Sequence, residues 1–339
     1  MPLRDDLRTF PKLSHAAFQH PLDKQALAAL EKVPLLPQVT AKFSEVWSER
    51  FIRVMQTSSS LRVSTKQFPT LYRDYERLAE VLDLRELPAL YLRTSPEINA
   101  YAMGVSDYFI VVTTGLIELM NEDELLGVIA HEMGHVKCQH MLYTTMVTFL
   151  TMFGSAVLDR ILPGIAQFAS MGIQLALLEW YRKAEFSCDR AALLATQNLP
   201  AVSNMLAKLA GWSSDLPAEF SLEEVKHQAQ DYEELDDTSV LNKVVKLAVL
   251  LQQSHPYPVV RVAEISKWSE SDEFKQILRG DYVQLQEPQA PSPPKVTPKE
   301  SRGPKPRGER FCPSCGAKVG GAAQFCASCG ADIGPAKPS

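Results

Sequence analysis

Residues 121–140, NEDELLGVIAHEMGHVKCQH, predict a helix that carries two histidines on one face. Asn121 is a typical N-cap residue, and the acidic residues after it suit the positive end of a helix. His131 and His135 are four residues apart, so their imidazoles project from the same side, one turn apart. Such a pair can hold a zinc ion, while Glu132, on the flank of that face, accepts a proton from a water molecule. The HExxH pattern therefore predicts a metal-dependent hydrolase.

A catalytic zinc site needs a third protein ligand. The pattern HExxHxxGxxH is excluded, because Cys138 and Met141 occupy the positions of its glycine and third histidine. A later segment, EWYRKAEFSCDRAALLA (179–195), offers Glu185 and Asp189 four residues apart on one helical face. The first is a candidate zinc ligand, and the second is a candidate for orienting a ligating histidine. Taken alone, the same segment is also an ordinary helical salt-bridge pattern.

The other notable residues of the two segments are predicted to pack rather than to bind metal. His140 lies about 140° around the helix from His135, so it cannot join the same ion. Cys138 and Cys188 are expected to be buried as small apolar side chains. Gly134 predicts a close approach of another element to the helix.

The C-terminal segment 311–334 contains two copies of the pattern FCxxCGA. Its four cysteines have the spacing of a tetrahedral structural zinc site: Cys312, Cys315, Cys326 and Cys329. Disulfides are the alternative, and they are disfavoured because no secretory signal is visible at the N-terminus. We therefore predict two zinc ions, one catalytic and one structural, in a protein of the cytoplasm or the cytoplasmic face of a membrane.

Four motifs occur in the order typical of one metallopeptidase family. They are NAYAMG (99–104), VTTGLIELMNEDELLGVIAHEMGHV (112–136), EFSCDRAA (185–192) and SHPYPVVRVAEI (254–265). The chain thereby resembles the gluzincin group that contains the HtpX-like proteases and the CAAX prenyl proteases. The resemblance implies an α+β, mainly helical zincin-like domain with a small antiparallel sheet, and a zinc-dependent endopeptidase activity.

The resemblance also assigns roles to single residues. It implies that Glu185 is the third zinc ligand and that Asp189 belongs to the same ExxxD motif. His255 and Arg261 match an HPxxxxR element. His255 then either stabilises the oxyanion of the reaction or caps the zinc as an inhibitory fourth ligand, while Arg261 anchors structure through a buried carboxylate.

The predicted organisation is a peptidase domain over 1–284, a linker over 285–310 that is rich in proline and basic residues, and the zinc ribbon over 311–334. Residues 141–178 lie between the HExxH and ExxxD segments and are predicted to form a pair of helices. Their only charged residues are Asp159 and Arg160, at the centre. Two interpretations remain open for this pair, a buried hairpin and a membrane-associated one.

The bulk composition limits the classes of function. A net charge of −5 gives no general attraction to nucleic acid. The resemblance implies polypeptides as partners, and the ribbon's partner is not predicted. The leading interpretation is an endopeptidase in quality control of unfolded or membrane-associated proteins. The alternative is a non-catalytic chaperone-like or adaptor protein that binds through the ribbon and the hairpin. The strand YFIVVTT (108–114) is the expected sheet edge for an extended substrate.

Overall fold

The computed structural model describes residues 6–46, 49–149, 171–213, 221–236, 257–285, 310–319 and 323–333. His255 and nearly all of the predicted linker lie outside these ranges, as do the central residues of the predicted hairpin. By contacts the chain divides into two units, Met1–Leu285 and Gln286–Ser339.

The first unit is mainly helical, as predicted, with one small sheet. Its described helices are α1 (Pro21–Leu30), α2 (Leu36–Val46), α3 (Glu49–Ser59), α4 (Pro69–Val81), α5 (Thr114–Leu119), α6 (Glu122–Lys137), α7 (Met171–Thr196), α8 (Leu199–Ala210), α9 (Leu222–Asp236), α10 (Pro258–Glu270) and α11 (Asp272–Arg279). Residues 141–149 are also helical. The strands are β1 (Ser60–Arg62), β2 (Ala89–Arg93), β3 (Ala100–Met103) and β4 (Phe109–Thr113).

The sheet is mixed, and this corrects two expectations. Its strand order is β1-β2-β4-β3. β4 pairs in parallel with β2 and antiparallel with β3, so the sheet is not wholly antiparallel. The segment YFIVVTT forms β4, an interior strand, whereas β3 lies at the edge. The prediction of β4 as the edge was wrong, because periodicity identifies a strand but not its neighbours.

The helix α6 begins as the sequence predicts. The Asn121 side chain accepts from the Glu124 N–H, and the Glu124 carboxylate accepts from the Asn121 N–H, both at 2.9 Å. This reciprocal capping box satisfies two N–H groups that have no partner within the helix. The helix then runs through both histidines to Lys137.

At Gly134 the helices α6 and α7 are in close contact. A Cβ atom there would lie 2.9 Å from Cys188 Cα and 3.0 Å from Ala191 Cβ. Only glycine fits such a contact, which confirms the prediction from the sequence. The close crossing brings the two histidines of α6 alongside the ExxxD segment of α7.

The described ends of the predicted hairpin belong to a second apolar cluster. Met146, Val147 and Phe149 pack there with Ile173 and Leu177. The same cluster contains residues of α1 and α2, namely Leu30, Leu36, Val39 and Phe43. Among the residues that the structure describes, no helix is both long and apolar enough to span a membrane.

Candidate metal centres

The structure brings His131, His135 and Glu185 together in the interior. Glu185 Oε2 lies 3.4 Å from His131 Nε2, and Glu185 Oε1 lies 3.2 Å from His135 Nε2. All three side chains are buried. One carboxylate thus faces the Nε2 atoms of both histidines of the HExxH helix.

These separations fit a tetrahedral zinc ion. Two ligand atoms that each lie ~2.0–2.1 Å from zinc at a tetrahedral angle are about 3.3–3.4 Å from each other. The two nitrogen–oxygen distances, each to a different oxygen of the carboxylate, are close to this value. Two imidazoles and one carboxylate are also a common donor set of catalytic zinc sites.

Cys188 is a competing donor near the same place. Its Sγ lies within 4.8 Å of ligand nitrogens of His131 and His135. Glu185 is the stronger candidate for the third donor, because its two oxygens lie 3.4 and 3.2 Å from the Nε2 atoms of His131 and His135. Burial also raises the pKa of the Cys188 thiol well above its ordinary value, which favours the neutral form over a thiolate ligand.

Asp189 and Arg261 support the histidines from behind. Arg261 donates to both oxygens of Asp189, from Nε at 2.8 Å and Nη2 at 2.7 Å, and its Nη1 lies 2.8 Å from Glu185 Oε2. Burial would raise the pKa of Asp189, but the Arg261 guanidinium outweighs it and lowers that pKa. Asp189 is therefore an acceptor, and it lies 3.0 Å from His131 Nδ1. A proton on Nδ1 leaves the lone pair of Nε2 directed at Glu185.

The charge balance of the site favours a divalent cation. Three carboxylates are buried here, those of Glu132, Glu185 and Asp189, against the single guanidinium of Arg261. Burial disfavours a charged imidazole, yet Glu185 and Asp189 raise the pKa of His131 to about 9. Buried anions without compensating cations are costly. A divalent cation bound by the two histidines and Glu185 would supply positive charge among these carboxylates.

Glu132 lines a small cavity next to the histidines. The cavity walls also include His131, Arg261, Asn99 and Ala100. Its apolar side is formed by Leu116, Val128, Met205 and Leu209. The cavity has a volume of about 20 Å³, enough for a water molecule, and Glu132 lines it between the sheet edge and α8.

Two side chains around His135 were not identified from the sequence. The Tyr181 ring stacks on the His135 ring at 5.8 Å between centroids, with an interplanar angle of 7°. Thr144 Oγ1 lies 3.5 Å from His135 Nδ1. Tyr181 is four residues before Glu185 on the same helix face, which is a signal that sequence reasoning could have used.

The four cysteines of the second unit form a cluster. The Sγ atoms of Cys312 and Cys329 are 3.7 Å apart, and those of Cys315 and Cys326 are 3.6 Å apart. Four sulfurs at ~2.3 Å from zinc in a tetrahedron are about 3.8 Å apart. The short strands β5 (Arg310–Phe311) and β6 (Lys318–Val319) pair beside them.

Comparison with known proteins agrees with both centres. Peptidase family M48 matches residues 65–269, and a zinc-ribbon domain matches residues 311–333. The chain is 36% identical over 272 residues to the plastoglobule-localized metallopeptidase 48, chloroplastic, of Arabidopsis thaliana, covering 80% of this chain and 77% of that protein.

HtpX homologues are more distant relatives. The one from Pelotomaculum thermopropionicum is 29% identical over 202 residues, which cover 52% of this chain and 70% of the relative. The one from Campylobacter curvus is 26% identical over 249 residues, which cover 66% and 82%. The predicted HtpX-like resemblance is confirmed. With one catalytic and one structural zinc, this chain belongs to peptidase family M48 and is a zinc-dependent metalloprotease.

Proposed function

We propose that the chain is an endopeptidase in which His131, His135 and Glu185 hold the catalytic zinc and Glu132 is the general base. The observation that carries this assignment is the Glu185 carboxylate, which faces both Nε2 atoms at 3.2 and 3.4 Å. Asp189 and Arg261 orient the donors without contacting the metal. His255 stays a candidate for stabilising the oxyanion or for inhibiting as a fourth ligand, since it lies outside the described residues.

The chemistry follows from the charges of the site. Zinc, when bound, lowers the pKa of a water molecule and polarises the scissile carbonyl. Glu132 takes one proton from the attacking water as its oxygen bonds to the carbonyl carbon. The same carboxyl group then gives that proton to the leaving amine nitrogen as the C–N bond breaks. Glu132 therefore ends the cycle in its starting state.

We place the substrate along the edge strand β3. Ile98, Asn99 and Ala100 line the cavity that also contains Glu132. An extended peptide beside this edge reaches the cavity through backbone pairing, which binds many sequences. A set of substrate peptides with proline at successive positions tests this: proline should block cleavage where it removes a paired N–H, and uniform cleavage contradicts strand addition.

The apolar wall of this small cavity, rather than its volume of about 20 Å³, suits contact with an apolar substrate side chain next to the cleaved bond. Leu116, Val128, Met205 and Leu209 form one side of it. Folded proteins bury their apolar residues, so a site that selects them acts mainly on unfolded chains. This supports a role in protein quality control. Cleavage sites mapped on a denatured protein should be enriched in Leu, Phe, Val or Met at one position, and random sites contradict the assignment.

The decisive experiment compares the wild type with Glu132→Gln. The amide keeps the shape of the side chain but cannot accept the water proton, so casein cleavage should fall at least about 10²-fold. Both proteins should contain two zinc ions. Equal activity of the two proteins, or a single zinc in the wild type, contradicts the assignment and favours the chaperone-like or adaptor function.

We also propose that the protein acts in a reducing compartment, in the cytoplasm or on the cytoplasmic face of a membrane. None of the six cysteines forms a disulfide, and four form the ribbon cluster. Residues 146–149 pack on α1 and α2 rather than facing outward, which favours the buried interpretation of their part of 141–178. A carbonate wash of cell membranes tests this: retention of the protein indicates insertion through this region.

A further inference from the structure

A buried carboxylate near the metal site comes from a part of the chain outside the family match. Asp23 lies in α1, whereas the family match begins at residue 65. Its exposed fraction is 0%, which is unusual for an aspartate. A carboxylate in such a place is retained only with several hydrogen-bond donors.

Asp23 Oδ2 has three such donors. Ser187 Oγ donates at 2.6 Å, Gln19 Nε2 at 3.0 Å and His140 Nε2 at 3.1 Å. Burial alone would raise the pKa of Asp23, but the bonds from His140, Ser187 and Gln19 outweigh it and lower that pKa. Because an ionised carboxylate only accepts, the proton of the His140 ring lies on Nε2.

Two of these donors lie directly beside the proposed zinc ligands. Ser187 is two residues after Glu185 on α7, and its Oγ also accepts from the His20 N–H at 3.0 Å. The His140 ring packs edge-on against the His135 ring, with centroids 5.6 Å apart. The backbone N–H of His140 donates to the backbone carbonyl of His135 at 2.9 Å. Asp23 thus links His140, which packs against the proposed ligand His135, to Ser187, which lies two residues after the proposed ligand Glu185.

We propose that Asp23 is a positioning residue of the catalytic zinc site, which acts through His140 and Ser187 to fix His135 and Glu185 relative to each other. The inference rests on the proposed ligand set. Loss of residues that orient metal ligands weakens metal affinity or activity by about 10–100-fold. We expect a loss in this range for Asp23→Ala. Asp23→Asn should lose less but still bind metal measurably more weakly than the wild type, because bonds to an amide oxygen are weaker than those to a carboxylate.

The test uses the full chain and cobalt. Cobalt bound by nitrogen and oxygen ligands has visible absorption bands distinct from those of cobalt in a four-thiolate site. Cobalt binding at the two sites is therefore measured separately. For Asp23→Ala we expect about 10–100-fold weaker cobalt binding at the nitrogen–oxygen site, shifted bands there, and a lower kcat with an unchanged KM. The ribbon bands should not change.

Glu124→Ala is the matched control, since Glu124 is a buried acid of α6 that bonds to Lys208 Nζ at 2.7 Å, away from the zinc ligands. It should lower the melting temperature with cobalt affinity and bands like those of the wild type. If Asp23→Ala does not fold, Asp23→Asn gives the same readouts. Wild-type cobalt affinity and bands in the Asp23 variants overturn the positioning role alone, whereas a wild type that binds only the ribbon cobalt overturns the proposed function.

Discussion

Arg261→Gln should lower the free energy of unfolding of the zinc-free protein by about 3–5 kcal/mol. Arg261 makes three short contacts to carboxylates, two to Asp189 and one to Glu185, at 2.7–2.8 Å. The two contacts to Asp189 are hydrogen bonds between charged groups, which contribute about 1.5–3 kcal/mol each. Glutamine recovers about one of these bonds, and the Glu185 carboxylate loses its ion-pair partner, so the net loss falls in the range measured for breaking buried ion pairs.

Zinc should reduce this loss, because the ion compensates the Glu185 carboxylate that Arg261 leaves behind. Urea unfolding of wild type and variant, with and without zinc, measures both quantities. Arg53→Gln is the control: Arg53 pairs with Asp107 on the surface, both well exposed, and its removal should cost less than about 0.5 kcal/mol. A loss below about 1 kcal/mol for zinc-free Arg261→Gln refutes the view that this network holds the site together.

Single substitutions at Gly134, Lys137 and Cys326 should change stability or metal content. Gly134→Ala places a methyl group 2.9 Å from Cys188 Cα and should cost about 1–3 kcal/mol of unfolding free energy and weaken zinc binding; unchanged stability contradicts it. Burial lowers the pKa of Lys137 to about 8, below the unfolded value, so the stability of the wild type relative to Lys137→Met should rise by about 1 kcal/mol from pH 7 to 9. An equal pH dependence of stability in both proteins excludes this effect of Lys137. Cys326→Ser should reduce the zinc content from two to one and leave casein cleavage unchanged, whereas lost cleavage ties the ribbon to catalysis.

Local chemistry made much of the first unit predictable. The capping box at Asn121 and Glu124 depends on residues three apart, and the shared face of His131 and His135 depends on residues four apart. The ribbon was predictable for the same reason, since Cys-x-x-Cys spacing places two thiolates on one turn. Such features need no knowledge of what lies elsewhere in the chain.

Contacts between distant segments were less predictable. The sequence shows that β3 and β4 are strands, but their order in the sheet depends on β2, which pairs with β4 in parallel. The contacts of Asp23 also depend on a distant segment of the chain. An acid in the first turn of a helix is an ordinary partner of the helix dipole, so nothing around Asp23 predicts that Ser187, 164 residues away, donates to it.

His140 is not a proposed zinc ligand, yet it contacts both the proposed ligand His135 and the carboxylate of Asp23. The sequence excludes it as a ligand by its angle around a continued helix, but α6 ends at Lys137, so His140 lies just after the turn that follows. From there its Nε2 lies 3.1 Å from Asp23 Oδ2, and its ring packs against His135. Since α1 supplies this carboxylate and α2 covers residues 146–149, the family-matched region 65–269 does not contain its whole core. The N-terminal helices therefore belong to the folding unit that holds the metal site.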